Sequence, residues 1–266
     1  MFLLLKIYKL LSNLKGHLTF SVCCFSWFGY PPVLTCDVAK TFSVALRVIP
    51  VRLWSPEALT RVNFHSLPSI PGQLDVNLEI DPTLKGAFKT THSGSITPKF
   101  GEVLPPFLSE NVCVKQVYFS GENGTVKHYS PAEEQAYIHS EVGCLNWARI
   151  LLNLTYEFIK AYDGDHGEFP GTIPSLHFVE AAIAECDTGK LFLVEEWIST
   201  SKAPFMKYIN NAHATSCVPK RAPEEMQNIA NFLCFAQHVQ YQVTQGTLST
   251  SDYQGMSQSV KGEIIS

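Results

Sequence analysis

Asn231 to Gly255, reading N-F-L-C-F-A-Q-H-V-Q-Y-Q-V-T-Q-G-T-L-S-T-S-D-Y-Q-G, constrains the fold more than any other stretch. The apolar run through His238 has helical character, Gln245-Gly246 marks a turn, and Leu248 to Ser251 reads as a short strand. The strand leads into Asp252-Tyr253-Gln254-Gly255. A carboxylate and an amide two residues apart, where a strand runs out at a glycine, can offer oxygen ligands to Mg²⁺ from one edge. By itself S-D-x-Q-G is a weak signal, because such a string arises by chance in many loops.

A chain of 266 residues can bury a substantial core in one large or two small lobes. With 45% apolar and 17% charged residues it reads as globular, not disordered. A net charge of −4 argues against a broad nucleic-acid surface, so no nucleic-acid partner is expected. The eight cysteines include no C-x-x-C pair, which is the usage of a reducing compartment and predicts a cytoplasmic protein. Near the N-terminus, Lys6, Lys9 and Lys15 interrupt the first apolar stretch, and Pro31-Pro32 stops the second, His17 to Tyr30. Neither reaches the roughly 20 apolar residues that a spanning helix needs, so a membrane partner is not expected.

Thr41 to Trp54 holds two β-rich runs broken by proline, and Pro68 to Pro71 reads as a linker. Residues 1–73 are therefore set apart as an N-terminal extension. From Leu74 the pattern becomes a strand meander: Val76 to Ile80 alternates with period two, and Val112 to Phe119 is β-branched and aromatic. Ser130-Pro131-Ala132-Glu133 predicts a helix start with a capping box, running towards Tyr162 with a break near Asn153. Its apolar stripe is Ile138, Leu145, Ala148 and Leu152. His177 to Cys186 and Lys190 to Trp197 read as paired strands, and Pro223 opens the helix that carries His238.

Lys115 interrupts the apolar strand. It is either an outward-facing lysine or one that grips the α- and β-phosphates of ATP and pairs with a helix glutamate. Glu141 falls between Ile138 and Leu145 on the apolar face, where a charge needs a partner unless it reaches solvent at the stripe's edge.

F-A-Q-H-V-Q-Y, a glycine turn, a strand and D-x-Q-G, with Asp252 fourteen residues after His238, resemble the atypical alpha-kinase family of the myosin heavy chain kinase and elongation-factor kinase type. Lys115 and Glu141 stand twenty-six residues apart, which matches that family's spacing of strand lysine and helix glutamate. The resemblance covers residues 78–255 and implies an α+β, two-lobed protein-kinase-like fold of the alpha-kinase type. With the family's later motifs missing, the C-lobe is expected to be incomplete. The implied division is an alpha-kinase-like domain over 74–255 and a divergent tail over 256–266. The implied activity is that of a serine/threonine protein kinase: transfer of the γ-phosphoryl of Mg-ATP to a protein substrate, with ATP and Mg²⁺ as cofactors.

The resemblance also implies roles. Lys115, Asp252 and Gln254 would be catalytic, with Asp252 and Gln254 on the metal. Glu141 would orient Lys115, and Lys89 in Gly86-Ala87-Phe88-Lys89 would touch phosphate where the family usually has arginine. Glu195, in the hinge-like Leu193 to Trp197, would lie at adenine. Lys207 and Asn211, in Lys207-Tyr208-Ile209-Asn210-Asn211, would approach the ribose and phosphates. Two features depart from the family. Met256 to Ser266 contains no aspartate to match the family's downstream D-P, and the H-x-C-x-x-x-C cluster that completes a zinc site with the family's histidine is missing, so no zinc is expected. These departures keep two alternatives open, a nucleotide-binding pseudokinase and an incomplete kinase fragment.

Overall fold

Alternating apolar residues after Asn111 fold as a strand that is buried on both faces, and the architecture is built around it. The computed structural model describes residues 40–49, 62–78, 84–85, 89–108, 111–120, 126–166, 173–198, 206–210 and 214–255. The strands are β1 (Lys40–Arg47), β2 (Ser69–Val76), β3 (Leu84–Lys85), β4 (Lys89–Pro98), β5 (Asn111–Ser120), β6 (Val126–His128), β7 (Ala181–Cys186), β8 (Leu191–Glu196), β9 (Met206–Lys207) and β10 (Gln254–Gly255). Two long helices, α1 (Pro131–His166) and α2 (Glu224–Val243), and two short 3-10 turns complete the described elements.

Eight strands form one sheet in the order β3-β4-β2-β1-β7-β8-β5-β6, and β4 also pairs with β5. That last pairing closes β4, β2, β1, β7, β8 and β5 into a six-stranded antiparallel ring. A ring this small leaves an interior that side chains fill. Val44, Leu46, Leu74, Ile96, Val112, Val114, Phe192 and Val194 fill it, with Leu108 from a 3-10 turn at Pro106–Leu108. The strands approach closely at Gly94, where a Cβ would lie 2.6 Å from Val114 Cγ2 and 2.9 Å from the Asp75 carbonyl. Glycine is required there for want of space.

The ring begins earlier in the chain than the boundary at residue 73. β1 and all but the end of β2 belong to the supposed extension, yet both are full members of the sheet. Proline hid them. Pro71 lies inside β2 opposite Ala45, and its carbonyl still accepts from Lys99 N–H at 3.0 Å. The missing N–H costs one ladder bond without breaking the strand. The strand expected over Val76 to Ile80 ends at Val76, and Glu79 and Ile80 lie outside the described residues. Met1 to Ala39, including both apolar N-terminal stretches, also lie outside them. Among the described residues no helix is long and apolar enough to cross a membrane.

α1 starts as its sequence dictates. Glu133 Oε2 accepts from Ser130 N–H at 3.0 Å and from the Ser130 hydroxyl at 2.7 Å, while Glu134 N–H donates to the Ser130 carbonyl. This is the returning half of a capping box. The helix passes through Asn153 without a break and runs to His166. Ile138, Val142, Leu145 and Ala148 cover the outer face of the ring, against Val117, Ile183 and Leu193. Further along, Leu152 and Ile159 turn to Phe232 and Ala236 of α2. One helix therefore ties the ring to the second, smaller body.

Candidate active site

Strand register fixes which side chains share the face under α1. Lys89 stands opposite Val117, Lys115 opposite Thr91 and Leu193, and Glu195 opposite Cys113. Lys89, Lys115 and Glu195 therefore form a diagonal row on the outer face of β4, β5 and β8. All three are buried, at 4%, 2% and 5% exposure. A charge at that depth requires a partner. Lys115 is paired with the Glu195 carboxylate, and Lys89 Nζ lies 2.5 Å from Glu141 Oε2.

This corrects the expected pairing. Glu141 reaches the β4 lysine, and the ion pair on Lys115 comes from Glu195, which the hinge resemblance assigned to adenine. The physical reason is lateral. Glu195 is a diagonal neighbour of Lys115 across the β5–β8 ladder, whereas Glu141 descends from α1 at the edge of the apolar stripe, with its side chain 34% exposed. Sequence spacing along one chain does not encode which strand lies beside which.

Asp252 and Gln254 sit in the second body. β10 pairs with β9 so that Gln254 faces Lys207, and Tyr208 N–H donates to the Tyr253 carbonyl at 2.8 Å. Lys207 Nζ lies 2.6 Å from Asp252 Oδ1. Asp252 is buried and its φ is +60°, a left-handed conformation that few side chains adopt. Such a residue persists only where its surroundings hold it. Here α2 holds it from the preceding loop. Gln240 Oε1 accepts from Thr250 N–H at 2.8 Å, and Gln237 Nε2 donates to the Thr250 carbonyl at 2.8 Å. Gln240 Nε2 also reaches the Tyr253 hydroxyl at 3.3 Å, and burial pushes that phenol up to about 12. The strand expected over Leu248 to Ser251 is replaced by an extended loop with a single bridge residue at Ser251; the Leu248 backbone bonds to the Thr244 hydroxyl and the Thr250 backbone to the two glutamine side chains.

Sequence reasoning passed over Gln237 and Gln240, although two glutamines three apart in an apolar helix were visible. His238, between them, is exposed, and among the described residues no group of three His, Cys, Asp or Glu side chains could hold a metal. Asn211 lies outside the described residues; Lys207, from the same motif, is the residue at Asp252. One buried carboxylate, with Gln254 two residues on in β10, is a sparse donor set, and it fits a Mg²⁺ held mainly by nucleotide phosphates and water. The Lys207 ammonium already shows that a positive charge is accommodated at Asp252.

The sequence pattern of the alpha-kinase family matches residues 85–265. No match is found among curated proteins. Among solved structures, an alpha kinase from Entamoeba histolytica is 13% identical, covers 82% of this chain and 73% of its own, and superposes with a TM-score of 0.51. That likeness concerns the fold alone. A C-terminally truncated alpha-kinase domain of myosin heavy chain kinase is 11% identical, with coverage of 83% and 81% and a TM-score of 0.47. The ADP complex of the myosin heavy chain kinase A domain is 9% identical, with coverage of 84% and 81% and a TM-score of 0.40. The family match spans more than half of the sequence, and on that match the chain belongs to the alpha-kinase family.

Proposed function

We propose that the chain binds Mg-ATP and transfers its γ-phosphoryl group to a serine or threonine hydroxyl of a protein substrate. The observation that carries this reading is the row of two buried lysines, each with its own carboxylate, on one face of a ring that belongs to the alpha-kinase family. Phosphoryl transfer asks little covalent chemistry of the protein and much positioning of positive charge. Lys115 and Lys89 would donate to phosphate oxygens, with Glu195 and Glu141 fixing where their ammonium groups point. Asp252 and Gln254 would hold Mg²⁺, which when bound supplies charge neutralisation at the phosphates. Lys207 would hold the Asp252 carboxylate turned inward. Asn211 would approach the nucleotide from the same segment. The substrate hydroxyl oxygen forms a bond to the γ-phosphorus as the bond to the β,γ-bridging oxygen breaks and ADP leaves. The hydroxyl proton goes to a carboxylate or to solvent. The free cysteines, all without disulfide partners among the described residues, support placing this chemistry in a reducing, cytoplasmic compartment.

A second reading, nucleotide binding without turnover, is favoured by one observation: the Lys207 ammonium sits directly on Asp252. The test has two arms. Saturating Mg-ATP at about a hundred times its Kd should stabilise the chain by about 2.7 kcal/mol, and Lys115→Ala should lose that gain when compared with its own ligand-free melt. Transfer of γ-labelled phosphate to a mixed serine/threonine peptide set supports the first reading. Stabilisation without transfer supports the second, and no stabilisation rejects both.

A further inference from the structure

The first turns of α1 face a cluster of imidazoles that phosphoryl transfer does not use. The His139 ring stacks on Phe64 with centroids 4.6 Å apart, and His65 meets it edge-on at 5.3 Å. One turn earlier on α1, the Gln135 amide nitrogen lies 2.5 Å from His65 Nε2. From the other side Arg47 grips the same segment. Its guanidinium donates to the carbonyls of His65 at 3.1 Å and Leu67 at 2.7 Å, and to Glu185 Oε2 at 3.1 Å. Asn63 caps the 3-10 turn at Phe64–Ser66 by accepting from His65 N–H. Val62, Phe64 and Leu67 pack into the core beneath α1, so the segment is a strap between the ring and the helix.

We infer that the contact between His65 and His139 is a proton-sensitive latch that holds the strap of residues 62–67 on α1. With the Gln135 nitrogen donating, His65 Nε2 is the acceptor, which only a neutral ring provides. Protonating both rings sets like charges side by side and replaces that acceptor with a donor. The other charged groups facing the pair are Arg47 from β1 and Glu185 from β7, already committed to each other. Burial, then the neighbouring His65, lowers the pKa of His139. The sign follows. The folded state prefers the neutral ring, so the contact stabilises fully above the ordinary imidazole value of 6.5 and is lost as pH falls below it.

Amide hydrogen exchange of the whole chain, corrected for intrinsic rates and run without nucleotide at about pH 7.5 and about pH 5.5, tests the latch independently of phosphoryl transfer. Protection over residues 62–67 should fall at least about fivefold at the lower pH in the wild type, and change less than about twofold in His139→Phe and in His65→Phe. Phenylalanine keeps the ring packing and removes the proton site. If either variant does not fold, the other decides. Equal wild-type protection at both pH values, or the same loss in the folded variant, overturns the proposal.

Discussion

Two buried ammonium groups on adjacent strands need two carboxylates, and lateral register decides which serves which. Lys115 is the deeper, and its partner Glu195 is buried with it. Lys115→Ala leaves an uncompensated carboxylate in the core and should cost about 3–5 kcal/mol in a denaturant melt, whereas Lys115→Met with Glu195→Leu removes both charges and should cost far less. Equal losses in the two variants would show that packing, not the orphaned charge, sets the cost. Glu134 makes a separate case in the first turn of α1. It is buried, and its Oε2 accepts from Leu191 N–H at 3.2 Å. Burial raises its pKa above the ordinary 4.5 despite that bond. The folded state then holds the proton more tightly than the unfolded state, so this carboxyl costs stability as pH rises above about 4.5. Glu134→Gln should therefore melt higher than wild type near neutrality, with the gap closing at about pH 4. A gap that is constant across pH would rule out ionisation as its source.

At the scale of elements, local chemistry was legible and long-range pairing was not. Ser130-Pro131-Ala132-Glu133 announced α1 because every group in a capping box lies within one turn. β5 was legible because β-branched residues on both faces suit a strand that is covered on both faces. β1 showed as a β-rich run but its place in the sheet did not, and β2 was not legible at all, because Pro68 and Pro71 read locally as a linker while the pairing that tolerates Pro71 comes from β1 and β4. The loop before Asp252 was mistaken for a strand because the backbone partners of Leu248 and Thr250 are side chains of Thr244 and of α2, which alternation does not report. Gln240 is fully buried and is the central member of that support. Gln240→Leu leaves Thr250 N–H and the Tyr253 hydroxyl without this partner, and should cost about 1–3 kcal/mol and increase hydrogen exchange at residues 250–253. A stability loss with unchanged exchange there would show that Gln240 serves packing alone. Gly94 sets a tighter limit. Its Cβ has no room against Val114 and the Asp75 carbonyl, so Gly94→Ala should destabilise by about 1–3 kcal/mol in thermal melts.

At the scale of the molecule, ring closure decides what counts as a domain. β1 links β2 to β7, so removing it opens the ring between two strands whose inner faces are wholly apolar. A chain cut at the boundary drawn from sequence, beginning at residue 74, would lose β1 and all but the last three residues of β2. Val44 and Leu46 would leave the interior, and each large side chain removed from such a core costs about 2–5 kcal/mol. Ala182, Ala184 and Phe192 would lose the cover on one side, and β7 and β4 would become exposed edges with unpaired backbone groups. Because the same strands position Lys89, Lys115 and Glu195 on their outer face, the damage would not stay inside the ring. A chain spanning residues 40–255 should therefore melt cooperatively and keep Mg-ATP stabilisation, while one spanning 74–255 should aggregate or show no sharp transition. Comparing the two by size-exclusion chromatography and circular dichroism melts checks this directly. Equal cooperativity in both would mean that β5, β8 and α1 form a self-sufficient core, and that β1 and β2 are an addition to it rather than part of the closure.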